Sequence, residues 1–337
     1  MTQYLLGRLL QAAATLVVAT TLVFVAVRAL PNNPLLARFG QHAVPETIAA
    51  EMERHGWDLP LHHQLARFLG GLVGRGELGE SFFRPGESVS DGLRQKLPAT
   101  MELTLAALLI AIPAGMGAGI AAAVWHRRWP DAVCTSISLL GISVPVFFLG
   151  LCLLSIFSRM PTGLRLPATV DFESVSGFIV PETLLRGRFD LFLDALRHLC
   201  LPAVALSTIP MAVIARVTRS SMLEVLSADF IRTARAKGAP HHRVVLRHAL
   251  PNAAVAVTNI TGFQVGMLLS GAVLTETVFS WPGLGRYLVE GVHNNDYAVI
   301  QGGALVVAAI FVAMNLVLDF VYAWLDPRIR LTRGTGE

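Results

Sequence analysis

Charged side chains are scarce in this sequence. Asp, Glu, Lys and Arg make up 15% of the 337 residues, whereas 53% of the residues are hydrophobic. Soluble domains carry about 25% charged residues, so this composition does not favour a soluble enzyme. The basic residues are spread over several segments and form no single basic face, which argues against nucleic acid as a partner. The composition favours a chain that is solvated largely by membrane lipid.

Sequence motifs for catalysis and metal binding are missing as well. The sequence contains no G-x-x-x-x-G-K-[ST] loop, so nucleotide hydrolysis of that type is not expected. The three cysteines form no C-x-x-C pair and lie in apolar runs, which predicts reduced, buried thiols; they are Cys134, Cys152 and Cys200. We expect no catalytic residue, no metal site and no bound cofactor on this chain.

Long apolar runs are what the sequence does contain. Six uncharged runs can cross a hydrocarbon core of roughly 30 Å, which takes about 20 helical residues. They are 9–27, 103–125, 132–158, 198–215, 253–275 and 297–318. The first run is longer than a signal-peptide core and precedes no clear cleavage site, which favours a retained span. None of the runs contains the carboxylate that a proton-coupled carrier or an intramembrane hydrolase would need.

Charge distribution predicts the orientation of these spans. With the N-terminus in the cytoplasm, the strongly basic stretch 216–247 is also cytoplasmic, and most outer Lys and Arg residues lie in the long segment 28–102. The positive-inside rule discounts such long segments. Both termini are therefore expected in the cytoplasm. Within the long outer segment, 45–56 and 61–72 have helical periodicity, and a second outer insert covers 159–196.

A basic segment between the fourth and fifth runs is longer and more charged than a connecting loop requires. Good helix formers cover 222–237, Gly238 is placed to end a helix in the left-handed conformation, and Pro240 suits the first turn of a second helix. A solvated basic loop that meets anionic lipid is one interpretation. A docking element for an energy-supplying partner is the other, because the chain has no ATP site of its own.

The order of residues distinguishes these two interpretations. Arg-Thr-Ala-Arg-Ala-Lys-Gly, followed by His-Ala-Leu-Pro-Asn, resembles the EAA loop of the membrane subunits of bacterial ABC importers, as written in the peptide/nickel branch of that family. The general EAA pattern is matched at Ala234, Gly238, Leu250 and Pro251. It is not matched at Arg232, Thr233 and His248.

Further segments resemble the same branch, and the likeness extends over 8–330. They are 28–34, 97–103, 197–202 and 275–285, together with 209–220, which is most similar to dipeptide permeases. The resemblance implies an all-α integral membrane protein of the type I ABC importer permease fold, with six transmembrane helices and both termini inside. It divides the chain into a first helix (1–30), a periplasmic segment (31–95), a transmembrane core (96–326) that includes a coupling loop (217–252), and a cytoplasmic tail (327–337).

The resemblance also implies partners in the bacterial cytoplasmic membrane. A second homologous permease subunit would pair with this chain, two ABC ATPase subunits would carry ATP and Mg, and a periplasmic or lipid-anchored protein would deliver substrate. The residues expected to contact an ATPase are Arg232, Thr233, Ala234, Arg235, Ala236, Lys237, Gly238, Leu250 and Pro251. Those expected at the periplasmic mouth, in contact with the binding protein, are Glu276, Ser280, Trp281, Pro282, Gly283 and Gly285. For Trp281, an interfacial membrane anchor is an equal alternative.

Substrate identity stays open at the level of sequence. Di- and oligopeptides are favoured, but nickel complexes, glutathione and antimicrobial peptides are handled by similar permeases. A channel, a secondary carrier or a membrane scaffold would be alternatives of a different class. The Gly-rich stretch 115–119 indicates close helix packing, and Pro113, Pro145 and Pro202 are either hinges or static kinks.

Overall fold

The structure is a computed structural model that describes residues 2–29, 35, 39 and 44–325. Within these residues the regular elements are helical, apart from one isolated antiparallel bridge between Glu80 and Ser88. The helices are α1 (Thr2–Arg28), α2 (Pro45–His55), α3 (Leu61–Arg75), α4 (Val89–Val124), α5 (Trp129–Ser143), α6 (Val146–Ile156), α7 (Ile179–Leu185), α8 (Phe189–Leu226), α9 (Asp229–Ala236), α10 (His241–Arg243), α11 (Leu250–Gly271), α12 (Val273–Val278), α13 (Leu284–His293) and α14 (Tyr297–Leu325). The predicted tail, 327–337, and residues 30–34 of the segment 28–34 lie outside the described residues.

Five helical segments of the described residues are long and apolar enough to cross a membrane, and each overlaps one of the six predicted runs. These segments are Gly7–Arg28, Val89–Val124, Phe189–Leu226, His241–Leu269 and Tyr297–Leu318. The remaining predicted run, 132–158, is not one straight helix. Instead α5 and α6 meet at 103°. Pro145 explains the break, because proline drives the residue before it out of the helical region, and Val144 has an extended ψ of 121°.

Close packing of α4 against α8 forms the centre of the molecule. A Cβ added to Gly115 would lie 2.6 Å from the carbonyl oxygen of Met211, and one added to Gly119 would lie 2.5 Å from that of Ala215. The predicted role of this Gly-rich stretch in helix packing is thereby confirmed at these two positions. Helix α8 itself runs unbroken through Pro202 and Pro210 and extends well beyond the predicted run 198–215. Cys200 is exposed on its surface and not buried as predicted.

The connecting segments lie at two ends of the helix bundle. At one end, which we call the inner end, Ile231, Val244 and Val245 pack against Ala123 and Met222 near the ends of α4 and α8. At the other end, which we call the outer end, the segment between α11 and α14 contacts both the segment before α4, through Asp296 and Ser81, and the segment between α6 and α8, through Phe279 and Gly163. The predicted orientation places the inner end in the cytoplasm.

The amphipathic helices predicted before the second span are present as α2 and α3. Trp57, which lies between them, contacts the start of the last span, with its ring centre 5.6 Å from that of Tyr297. The Arg28 guanidinium at the end of α1 lies 4.8 Å from the centre of the same Tyr297 ring. Arg28 Nε also donates a hydrogen bond to Gln64 Oε1 at 2.8 Å. Further along, Ser81 Oγ donates to Asp296 Oδ2 at 2.6 Å, just before α14 begins. The outer segment is therefore joined to both the first and the last helix.

Candidate functional site: an inner docking surface and an outer carboxylate clamp

The inner docking surface, residues 227–252, is built from three short helical pieces that precede α11: α9, α10 and a π-helical segment at Val244–Ala249. The predicted continuous helix over 222–237 is wrong, because α8 ends at Leu226 and α9 begins at Asp229. Ser227 supplies a physical reason. Its hydroxyl donates to the carbonyl of Glu224 at 2.7 Å, and such local hydrogen bonds compete with helix continuation. Asp229 then starts α9 with a negative charge at the positive end of the helix dipole.

Gly238 ends α9 in the left-handed conformation, with φ +79°. The amide of Gly238 donates to Arg235 O at 2.9 Å and the amide of Ala239 to Ala234 O at 3.2 Å, which is the Schellman pattern. The predicted left-handed cap is confirmed. A Cβ at Gly238 would meet no atom within 4 Å, so the requirement for glycine is one of backbone conformation. Pro240 precedes α10 as its N-cap, one residue earlier than predicted.

Buried apolar side chains hold this surface to the bundle and leave the charged ones outside. Ile231 is fully buried, whereas Phe230 beside it is exposed. The predicted ATPase-contacting residues are mostly exposed: Arg232, Thr233, Arg235, Ala236, Lys237, Gly238 and Pro251. Ala234 and Leu250 are half-buried. The result is an exposed basic surface on a rigid hydrophobic base. The exposed Phe230 adds an apolar side chain to this surface.

At the outer end, the carboxylate of Glu276 is buried in a clamp of hydrogen bonds. Glu276 Oε1 accepts from Thr100 Oγ1 at 2.6 Å, and Oε2 accepts from the amide of Arg286 at 3.0 Å. The carboxylate thus lies at the N-terminus of α13, where the helix dipole favours negative charge. Desolvation is the larger effect and raises the pKa of Glu276 above its ordinary value, while the hydrogen bonds oppose the rise.

Two glycines make room for this carboxylate. A Cβ at Gly283 would overlap the carboxyl group of Glu276, and a Cβ at Gly285 would lie 2.6 Å from the Cα of Val273 and 3.0 Å from Glu276 Oε2. Any side chain at either position would displace the clamp. The Pro-Gly-Leu-Gly order after Trp281 therefore has a steric explanation.

Trp281 lies in the same outer loop, and its side chain is buried. Its indole is only 1% exposed, and Nε1 donates to the carbonyl of Ala99 at 2.9 Å. A side chain in this position reaches neither lipid nor another protein, so neither interpretation given for Trp281 describes its placement. Of the six residues predicted at the mouth, four are buried: Glu276, Trp281, Gly283 and Gly285. Only Ser280 is exposed, and Pro282 is half-buried, so surface contact stays a prediction for those two.

A second buried carboxylate, which was not predicted as a site, anchors the insert between α6 and α8. Glu102 forms an ion pair with Arg165, and its Oε1 accepts from the amide of Val180 at 2.7 Å. Arg165 also donates to the carbonyl of Gly177 at 2.8 Å. The sequence does contain a signal for this site, because placing a charged glutamate at the start of an apolar run costs free energy unless the carboxylate is paired. Helix α4 thus holds one outer loop through Thr100 and the other through Glu102.

No group of three or more His, Cys, Asp or Glu side chains that could hold a metal ion occurs among the described residues. The two sites differ in exposure. The inner surface offers exposed cations on a fixed base. The outer clamp offers buried hydrogen bonds that connect separate loops to one helix.

Comparison with known proteins supplies the family. Residues 95–331 match the family described as "Binding-protein-dependent transport system inner membrane component", and residues 1–104 match its N-terminal companion. The di/tripeptide transport system permease DppB of Pseudomonas aeruginosa is 45% identical, over 93% of this chain and 94% of the relative. The dipeptide permease DppB of Escherichia coli is 39% identical, over 98% of this chain and 99% of the relative. The glutathione permease GsiC of Salmonella paratyphi A is also 39% identical, with the same shares. The chain belongs to the family of binding-protein-dependent inner membrane transport components and is a multi-pass permease subunit of an ABC importer.

Proposed function

We propose that this chain forms part of the pathway by which small peptides cross the inner membrane, driven by ATPases that bind its inner docking surface. Its 45% identity to a di/tripeptide permease over 93% of the chain is the main support. The similarity to a glutathione permease is compatible with this substrate class, since glutathione is itself a tripeptide. Substrate selection within the class rests with the binding protein.

The inner docking surface is the proposed point of energy input. We infer contact with an ATPase for Arg232, Thr233, Ala234, Arg235, Ala236, Lys237, Gly238, Leu250 and Pro251. Most of these residues are exposed while Ile231 beneath them is fully buried. The chain is non-catalytic in this proposal. ATP and Mg bind to two separate ATPase subunits, and this chain holds no cofactor of its own.

Helix α4 is the proposed mechanical link between the two ends. Its inner end contributes Ala123 to the base of the docking surface, and its outer end carries Thr100 and Glu102, which hold the two outer loops. In this proposal, a displacement imposed at the docking surface is transmitted to both outer loops along one continuous helix, which contains Pro113. The importer would alternate between two states, and ATP and the loaded binding protein would each favour one of them.

The remaining subunits follow from the same proposal. A second homologous permease subunit completes the pathway, and a periplasmic or lipid-anchored binding protein docks at the outer end, where Ser280 and Pro282 are available. Membrane lipid surrounds the pair, and no nucleic acid takes part.

Reconstitution tests the proposal. The chain is purified with its partner permease and both ATPases, placed in lipid vesicles, and supplied with binding protein and a radiolabelled dipeptide. We expect uptake that requires ATP and is competed by unlabelled dipeptide. Uptake without ATP would indicate a channel or a secondary carrier. Purification of the chain without any ATPase would favour a scaffold. ATP-dependent uptake of a radiolabelled nickel complex, with no uptake of the dipeptide, would overturn the peptide assignment.

A further inference from the structure

The inner turn between α4 and α5 carries two arginines between two tryptophans, in the order Trp125-His126-Arg127-Arg128-Trp129. The indoles of Trp125 and Trp129 are 47% and 78% exposed. Tryptophan is enriched at the level of the lipid headgroups. Neither the docking surface nor the outer clamp uses this turn.

A surface cavity of about 520 Å³ opens beside the turn, between the start of α5 and the inner part of α8. Its lining combines the guanidinium groups of Arg127, Arg128 and Arg219, the hydroxyl group of Ser136 and the indole of Trp129 with one carboxylate, that of Asp131. Guanidinium and hydroxyl groups are the donors that suit a phosphate group.

Asp131 determines which of these charges are available. Its buried carboxylate accepts from Arg219 Nε at 2.6 Å and from the amide of Arg127 at 3.0 Å, and His126 Nδ1 lies 2.9 Å from it. Arg219 is therefore neutralised and holds the turn against α8. The side chains of Arg127 and Arg128 are exposed and form no ion pair with any residue that the structure describes. The cavity keeps a positive charge on a fixed framework.

An apolar stripe continues from the cavity along α5. Val133, Ile137 and Leu140 are exposed, and their spacing of four and three residues places them on one helix face. Trp129 precedes Val133 by four residues and begins the same face. A ligand that fills the cavity and follows this stripe carries both an anionic headgroup and a hydrocarbon chain.

We propose that this cavity binds the phosphate of an anionic phospholipid from the inner leaflet, with an acyl chain along α5. Free phosphate has the same headgroup chemistry but would gain nothing from the stripe. The proposal goes beyond the proposed function, since it does not depend on which substrate is carried. A bound lipid would bridge the turn and α8, which leads directly into the docking surface.

Native mass spectrometry of the detergent-solubilised full chain, together with its partner permease, tests the proposal. Phosphatidylglycerol and phosphatidylcholine are titrated separately into the wild type and into R127Q/R128Q. We expect the double variant to bind phosphatidylglycerol at least roughly 10-fold more weakly, with phosphatidylcholine unaffected. The matched control is R243Q/R247Q, which removes the same charge from exposed inner positions outside the cavity and should keep wild-type affinity.

Two additional arms make the outcome decisive. Ser136→Glu introduces a negative charge into the cavity while leaving Asp131 and Arg219 in place, and it should reproduce the loss. Inorganic phosphate, added as competitor, should displace phosphatidylglycerol only weakly. Equal binding of the two lipids, equal loss in the control variant, or full displacement by inorganic phosphate would each overturn the proposal. A crosslink from position 137 to the partner permease in place of lipid would also overturn it.

Discussion

Thr100 donates its hydroxyl hydrogen to Glu276 Oε1 at 2.6 Å, across 176 residues of sequence. The same hydroxyl oxygen accepts from the amide of Leu284 at 2.8 Å. One threonine on α4 therefore satisfies a buried carboxylate and the first amide of α13 together. Because both groups are removed from water, each would be costly without its partner.

Replacing Thr100 with valine keeps the shape and removes both hydrogen bonds. We expect T100V to lower the free energy of unfolding by about 1–3 kcal/mol, the cost of leaving buried polar groups unsatisfied. The measurement is the thermal unfolding midpoint of the purified permease pair, followed by tryptophan fluorescence.

Thr277 provides the control for this variant. Thr277 follows Glu276 in α12, but its side chain is exposed. Its hydroxyl donates a hydrogen bond only to the carbonyl of Val273 in the same helix. T277V should unfold close to the wild-type temperature. If T100V and T277V unfold at the same temperature, the clamp does not stabilise the outer end.

A pair of glycines on α4 tests the helix packing. Gly119→Ala would place a methyl group 2.5 Å from the Ala215 carbonyl oxygen, whereas the same change at Gly117, two residues earlier, meets no atom within 4 Å. We expect G119A to cost about 1–3 kcal/mol through overpacking and G117A to be neutral or slightly stabilising. Thermal unfolding of the two variants is the measurement. Equal midpoints would show that α4 and α8 are not packed as closely as described.

The outer insert contains a turn whose stability should depend on pH. Hydrogen bonds from the Ser174 hydroxyl and the Val175 amide lower the pKa of Glu182 from 4.5 to about 2. A carboxyl group with a lowered pKa stabilises the folded turn above its ordinary pKa, and this contribution is lost as the pH falls from about 4.5 towards about 2. Hydrogen exchange at 174–176, corrected for intrinsic rates, should therefore show protection that decreases over this range.

Glu182→Gln should abolish that pH dependence and weaken protection of 174–176 already at pH 7. Glu173→Gln, at an exposed neighbouring position, is the control and should behave as the wild type. Unchanged protection in E182Q at pH 7 would mean that Glu182 does not hold the turn.

The contrast between the two ends shows what the sequence could predict. Gly238 was recognisable because a left-handed helix end is a local property, and the residues around it determine it. The burial of Trp281 was not, because it depends on the carbonyl of Ala99, 182 residues earlier. The ion pair between Glu102 and Arg165 likewise joins segments that are distant in sequence. The bend at Pro145 was within reach of local rules, but apolar composition alone predicted one continuous span.

Gly238→Val tests the docking surface most directly. Valine in the left-handed conformation costs about 1–2 kcal/mol, and Gly238 has no steric neighbour within 4 Å that would add to this cost. We expect the C-terminal end of α9 to rearrange and displace Arg235 and Lys237, while the buried Ile231 keeps the chain folded in the membrane. Peptide uptake in reconstituted vesicles should be lost, and ATP hydrolysis by the assembled complex should continue without responding to loaded binding protein.

The matched control for this variant is Gly76→Val. Gly76 also ends a helix in the left-handed conformation, with φ +66°, is exposed, and has no neighbour within 4 Å, but it lies at the outer end after α3. The conformational free-energy cost of valine is the same at both positions. A difference in peptide uptake between the two variants therefore reflects the location of the glycine and not backbone strain. Retained uptake in G76V together with lost uptake in G238V supports coupling through the inner surface. Wild-type uptake in G238V, or equal loss in both variants, would contradict it, because the energy would then not enter through α9.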